Sequence, residues 1–167
     1  MTDRRLTIRI GFAGFATGSS FPLIAAPRFL AYGLDLVLAA CRAGVDGAFP
    51  APNARTIETL EAWLQTIATG HEALALGGAR PGRLALNPDT HSSYDRLGSE
   101  LELVDRYRPP LVITALGSPE PVTARVHAYG DFVIADVNKV EFARKAARTG
   151  VDGLDPDAST RPIHNPS

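Results

Sequence analysis

The chain has 167 residues, 45% hydrophobic and 21% charged, enough for one ordinary core and without the composition of a disordered segment. Its 17 basic and 18 acidic residues leave a net charge of -1, so there is no electrostatic footprint for nucleic acid. A lone Cys41 excludes an intramolecular disulfide framework and no apolar run could span a bilayer, so neither membrane nor nucleic acid is an expected partner and the expected location is cytoplasmic.

Residues 1–20 read as an N-terminal extension. Arg4-Arg5 ahead of Ile10-Gly-Phe-Ala-Gly-Phe-Ala16 faintly resembles an export signal, but that run leads into a strand without a convincing cleavage site. Pro22-Leu-Ile-Ala-Ala-Pro27 predicts a short strand closed by proline. Leu34, Val37, Leu38 and Cys41 follow helical spacing, and Gly44 ends that helix. A second strand is predicted over 45–49, followed by the loop Pro50-Ala-Pro-Asn-Ala-Arg55. Thr56 is placed to cap a helix with the face Ile57, Leu60, Leu64 and Ile67, with Trp63 beside it. The glycine-rich run 71–82 reads as connection. Arg83-Leu-Ala-Leu-Asn87 is a third strand, and Ser92 or Ser93 would cap a helix bearing Leu97, Leu101 and Val104. Pro109-Pro110 ends it, and Leu111-Val-Ile-Thr-Ala115 is the strongest strand signal of all. Gly117-Ser-Pro119 opens a short helix with Val122 and Val126, closed by Gly130. Phe132-Val-Ile-Ala135 is a fifth strand ending in Asp136. Asn138 with Glu141 suggests a capping box for a fifth helix through Val140, Ala143 and Ala147. A sixth strand begins at Val151-Asp-Gly-Leu154, and 155–167 reads as a tail that is neither strand nor helix.

One phrase occurs twice. Arg42-Ala-Gly-Val-Asp-Gly47 returns as Arg148-Thr-Gly-Val-Asp-Gly153, each copy behind an alanine-rich helix. A basic residue suits the negative helix end, a glycine takes the left-handed position after it, and a β-branched residue starts the next strand. The chain therefore counts off parallel βα units, as an open doubly wound sheet or as part of a (β/α)8 barrel. No Gly-x-Gly-x-x-Gly follows the first strand, since Gly11-Phe-Ala-Gly14 lies before it, and no Walker-type loop is present. Polar residues gather where strands end: Arg28, Asn53, Asn87, Thr114, Ser118 and Asp136. A barrel enzyme keeps its working groups there. Taken singly, each reads more readily as a helix cap than as a ligand contact; together they mark one face.

Several segments carry a resemblance, among them Leu23-Ile-Ala-Ala-Pro27, Ala48-Phe-Pro-Ala-Pro-Asn-Ala-Arg55, His91-Ser-Ser-Tyr-Asp-Arg-Leu97, Val112-Ile-Thr-Ala-Leu-Gly117 and Val126-His-Ala-Tyr-Gly130. Continued by Ala143-Arg-Lys-Ala-Ala147 and Gly150-Val-Asp-Gly-Leu154, they run in order over about residues 20 to 154, and the chain resembles the nitronate monooxygenase (2-nitropropane dioxygenase) family. The resemblance implies an FMN-dependent TIM-type (β/α)8 barrel that oxidises alkyl nitronates with O2. It implies that Ala26, Pro27 and Arg28 approach the flavin ring, that Asn87 reads the ring edge, and that Gly117 and Ser118, with Asp136 nearby, line the site.

The sequence departs from the family pattern at three places. Arg28 stands where the family usually has Met, and its guanidinium would either stabilise an anionic reduced flavin or collide with the ring. The third strand runs on as Asn87-Pro-Asp instead of into an apolar loop. The Ala-Gly-Gly-His segment that carries the family's base is absent, as are the later glycine loops that hold the FMN phosphate, so no catalytic residue is assigned. His71, His91, His127 and His164 all lie elsewhere. The expected architecture is thus a partial barrel over 21–154, cut after about five and a half units, and weak or inactive alone. Two other readings stand beside it. A non-enzymatic half-barrel would self-associate, or join a complementary C-terminal fragment, through its open edges. An open flavodoxin-like domain would bind a small anion at a switch point through Ser118 and Asn138, and would require the strands to depart from sequential order.

Overall fold

A computed structural model describes residues 23–156. The alternation predicted from the repeat is what forms. Strands β1 (Ile24–Ala25), β2 (Asp46–Pro50), β3 (Leu84–Asn87), β4 (Leu111–Thr114), β5 (Phe132–Val137) and β6 (Gly153–Pro156) make one sheet. Between them lie α1 (Leu34–Arg42), α2 (Ile57–Leu76), α3 (Leu97–Tyr107), α4 (Glu120–Ala128) and α5 (Val140–Arg148), with a 3-10 turn at Ala51–Asn53. Every neighbouring pair is parallel, and the order is β1-β2-β3-β4-β5-β6. Right-handed crossovers between strands in simple succession put every helix on the same side. The result is a curled partial (β/α) barrel, helices outside and a concave face inside. A doubly wound sheet must reverse its order at a switch point. None occurs here, so the flavodoxin-like reading is overturned, and with it an anion site built on Ser118 and Asn138.

Strand alternation sorts the two faces. Phe49, Leu86, Val112 and Val133 point outward into the main core with Leu60, Leu64, Val104 and Val126 of the helices. Ala48, Ala85, Leu111 and Ile113 form a second cluster on the other face, flanked by Ile24, Phe132 and Ile134. Each large aliphatic side chain fully buried this way contributes about 1.5–3 kcal/mol. Trp63 closes the outer core edge-on against Phe49, with ring centroids 5.5 Å apart.

The repeated phrase builds the same junction twice. Gly44 and Gly150 take φ of 78° and 85°, the left-handed geometry that ends α1 and α5. The aspartate that follows each ties its strand to a neighbour: Asp46 Oδ1 accepts from Arg83 N at 2.7 Å, and Asp152 Oδ2 from Val133 N at 2.8 Å. Both latches lie at the N-terminal ends of strands, the end of such folds that serves stability.

Several local expectations give way to tertiary structure. The run 71–82 is not all connection, because α2 continues to Leu76. Glu72-Ala-Leu-Ala-Leu76 are strong helix formers, and Gly70 costs only about 1 kcal/mol. Thr56 caps α2 as expected, its side chain accepting from Thr59 N at 3.2 Å. Neither Ser92 nor Ser93 caps α3, which begins after Arg96; Ser93 instead binds the His91 ring in a turn. Asn138 caps nothing either, since α5 starts from Lys139 without a side-chain cap. Val140 is exposed, and Ala146 is the buried residue of that helix. Asp155 and Pro156, expected in the tail, belong to β6 because pairing with β5 extends that far. The extension over 1–20 and the remaining tail lie outside the described residues.

Candidate functional site

The C-terminal strand ends gather most of the polar residues singled out in the sequence. Ala26, Pro27 and Arg28 follow β1, with Ala26 and Arg28 exposed. Their loop is fixed from β2 by Asn53, whose side chain is fully engaged. Asn53 Nδ2 donates to the carbonyls of Arg28 (3.1 Å) and Tyr32 (2.7 Å), and its Oδ1 accepts from Leu30 N at 3.0 Å. These bonds hold Leu30 at φ 62°, an uncommon conformation for a branched side chain. Asn53 is therefore a clamp for the β1 loop and has little left for a ligand.

Asn87 ends β3 on the concave face, in register with Pro50 of β2. It is 8% exposed, and its Nδ2 donates to Ile113 O at 2.5 Å. The amide thus bridges β3 to β4 instead of capping the turn before Asp89. Asp89 makes that turn itself, accepting His91 N at 2.8 Å. Asn87 Oδ1 has no hydrogen-bond partner among the described residues, which leaves an open acceptor held in a fixed position. Asp136 lies on the same face of β5 as Phe132 and Ile134, and is exposed.

Gly117 and Ser118 shape the loop between β4 and α4. A Cβ on Gly117 would lie 2.0 Å from Thr90 O, so its missing side chain admits the Asn87–Thr90 turn. Thr90 then pairs with Ala115 O through both its N (2.9 Å) and Oγ1 (3.0 Å). Ser118 Oγ accepts Glu120 N at 3.3 Å at the start of α4. Both residues line a cavity of about 330 Å³ whose floor is Ala135 and Val137, the outward residues of β5, and whose far wall is α5. The structure therefore brings Ala26, Pro27, Arg28, Asn87 and Asp136 to the concave rim. Gly117 and Ser118 sit around a separate opening between α4 and α5.

Behind the loop after β3 lies a buried carboxylate that sequence reasoning missed. Glu100 is fully buried, and Tyr94 Oη donates to its Oε1 at 2.5 Å. Arg96 Nη2 stands 3.5 Å from the same oxygen, and Arg96 Nη1 donates to Arg55 O in the loop after β2. Glu100 Oε2 has no partner. Desolvation pushes the Glu100 carboxyl up to about 6, against the lowering effects of Tyr94 and Arg96, with Asp89 adding to the rise. Burial and the Glu100 contact push the Tyr94 phenol up as well. The signal was in the sequence: Glu100 falls on the apolar stripe of Leu97, Leu101 and Val104. Among the described residues no group of His, Cys, Asp and Glu could hold a metal, and no helix is long and apolar enough to cross a membrane.

No protein-family description matches the sequence, and no curated protein matches it. Solved structures do match. FabK from Thermotoga maritima superposes with a TM-score of 0.69 at 16% identity, covering 84% of this chain and 42% of that one. Nitroalkane oxidase from Streptomyces ansochromogenes superposes with a TM-score of 0.67 at 17% identity, covering 84% of this chain and 47% of that one. The chain thus spans less than half the length of either protein. Likeness at this identity establishes a shared fold.

The residues present fit one flank of the flavin that the sequence resemblance implies. The open Asn87 acceptor suits the polar edge of the ring, and exposed Ala26 offers a surface with no long side chain to displace.

Proposed function

We propose that this chain forms the FMN-ring side of a nitronate monooxygenase-type oxidoreductase, acting on alkyl nitronates with O2. The observation that carries the reading is Asn87, held in the sheet through Nδ2 with its acceptor open at the concave rim. The fold shared with a protein named as a nitroalkane oxidase supports it. When bound, FMN supplies the chemistry by taking electrons from the nitronate and passing them to O2. The chain's own residues bind and orient. Asn87 Oδ1 accepts from the ring edge, and Asn53 fixes the β1 loop so that Ala26 and Pro27 stand against the ring. Arg28 is exposed in that loop and brings positive charge to an anionic substrate or reduced ring. A nitronate is already the deprotonated form of a nitroalkane. A positive charge that binds the anion is therefore useful to it.

Asn87→Ala tests the role. Removing the bond to Ile113 costs the apo-protein about 1 kcal/mol, and losing the acceptor weakens FMN by about tenfold. Thermal midpoint and FMN affinity are measured on the same samples, below the unfolding range of both proteins. An unchanged affinity would mean that Asn87 only ties β3 to β4. Turnover of propionate 3-nitronate with nitrite release tests the activity itself.

A second reading rests on the sheet edges. Among the described residues β1 and β6 each have one strand neighbour, and Leu23 just before β1 and Leu154 within β6 are 58% and 41% exposed. A second copy or a complementary C-terminal fragment would cover such edges. Light scattering after size exclusion tests self-association: a mass that stays at one chain across micromolar concentrations rules out the second copy.

A further inference from the structure

The cavity of about 330 Å³ between α4 and α5 opens apart from the concave rim and gathers three features that point to a ligand. The first is exposed apolar surface. Leu116 and Phe142 both line it and are 73% and 45% exposed, beside Pro119 and Val137. The second is the backbone that presents Leu116. Gly117 N donates to Ala115 O at 2.9 Å across Leu116, whose φ is 66°. Such a three-residue turn is rare and strained, and strain of this kind gathers at ligand-holding loops. The third is charge. Lys145 also lines the cavity, its Nζ 5.9 Å from the Phe142 ring centroid, with no carboxylate partner among the described residues. From Lys139 to Arg148 the chain has four cations and Glu141 as the one acid, so the field along this wall is positive.

We propose that this cavity binds a monocarboxylate with an apolar tail, the tail against Leu116, Val137 and Phe142 and the carboxylate beside Lys145 Nζ and the Ser118 hydroxyl. Charge selects the head group. No acid lies among the described residues that line the cavity. Ser118 Oγ accepts from Glu120 N, which leaves its own proton free to donate. The Thr149 hydroxyl already donates to Ala146 O, so Lys145 and Ser118 are the side-chain donors that remain. One ammonium and one hydroxyl match a single negative charge, whereas a phosphate dianion calls for more donors. Volume sets the tail. A cavity of about 150 Å³ takes benzene, and this one is about twice that, room for a chain of roughly eight carbons. Ala135 and Ala146, with nothing longer than a methyl, leave depth for it. Neither flavin nor Asn87 takes part, so binding here is independent of the oxidoreductase role.

The probes are octanoate, 1-octanol, octylammonium and acetate, titrated into the full chain without flavin and followed by amide chemical shifts. Octanoate should saturate, with shifts centred on 116–119, 135–137 and 142–149. Octanol keeps the tail and loses the charge, and should bind about fivefold more weakly, the worth of a partly exposed ion pair. Octylammonium should bind more weakly still, and acetate, with no tail to bury, should not saturate. Lys145→Met keeps an apolar stem and should bring octanoate to the affinity of octanol, whereas Lys145→Arg should keep most of the preference. Lys145 is exposed, so neither change disturbs the core. Equal affinities for octanoate and octanol in the unmodified chain, a preference that survives Lys145→Met, or no saturable shifts at these residues would overturn the proposal.

Discussion

Asp46→Ala is expected to cost about 3–5 kcal/mol in urea unfolding, well above what breaking an exposed ion pair such as Arg125–Asp105 would cost. Asp46 is fully buried at the start of β2. It accepts Arg83 N at 2.7 Å, Arg83 Nε at 3.1 Å and Arg83 Nη2 at 2.7 Å. Arg83 itself is 7% exposed, so truncating the aspartate removes the carboxylate that its buried guanidinium binds and leaves the Arg83 N–H without its acceptor, with Asp131 the remaining carboxylate that feels its charge. The cost comes from the lost charge-assisted bonds together with the burial of the groups that made them. Asp46→Ala combined with Arg83→Met should therefore lose less than the two single changes added together. Asp152 offers an internal comparison. It makes the equivalent bond to Val133 N, but its partner His127, at 2.9 Å, lies at the surface. Asp152→Ala should be the milder change. Equal losses at the two sites would show that burial of the pair is not what matters.

Glu100→Gln is expected to change the pH dependence of stability by about 2 kcal/mol, from a carboxyl raised from 4.5 to about 6. A raised carboxyl pKa means the folded chain holds the proton more tightly than the unfolded chain. The stabilisation is therefore complete below about pH 4.5 and is lost as pH rises through 6. In the glutamine variant this component vanishes. The unmodified chain, relative to the variant, should lose about 2 kcal/mol between pH 4.5 and 7.5. Taking the difference cancels Asp131, also raised by burial, and the other carboxyl groups. A flat difference curve would mean that Glu100 is paired or hydrated well enough to ionise freely. The consequence reaches the rim, because Tyr94 and Arg96 grip this carboxylate and connect the loops after β2 and β3.

The fold is legible in the sequence because its signals are local and repeated. Gly44 and Gly150 each end a helix before a strand, and residues 111–113 are apolar throughout, as a strand buried on both faces favours. The sequence leaves the barrel and the doubly wound sheet both open, and the observed strand order decides between them. Features that depend on contacts between distant segments are not legible. Ser92, Ser93 and Asn138 have good capping chemistry, but the chain around them turns elsewhere. Asn53 reads only as a polar strand-end residue until the path of the β1 loop shows it to be a clamp. At Gly117 the close approach of Thr90 demands a glycine, a contact between separate segments that the sequence does not show. Asn87 has the chemistry of a cap and of a ligand contact alike. The bond to Ile113 removes the cap and keeps an acceptor available.

The most direct test of the account is amide hydrogen exchange on the full chain with and without saturating FMN. Flavin held against the concave rim should slow exchange over 26–32 and 87–91, the loops that Asn53 and Asn87 position. Residues 64–72, at the far end of the strands, should be unaffected. Asn87→Ala should reduce the rim protection at the same FMN concentration. Protection confined to 140–149, the helix beside the Ser118 cavity, or no protection at all, would contradict a flavin site at the rim.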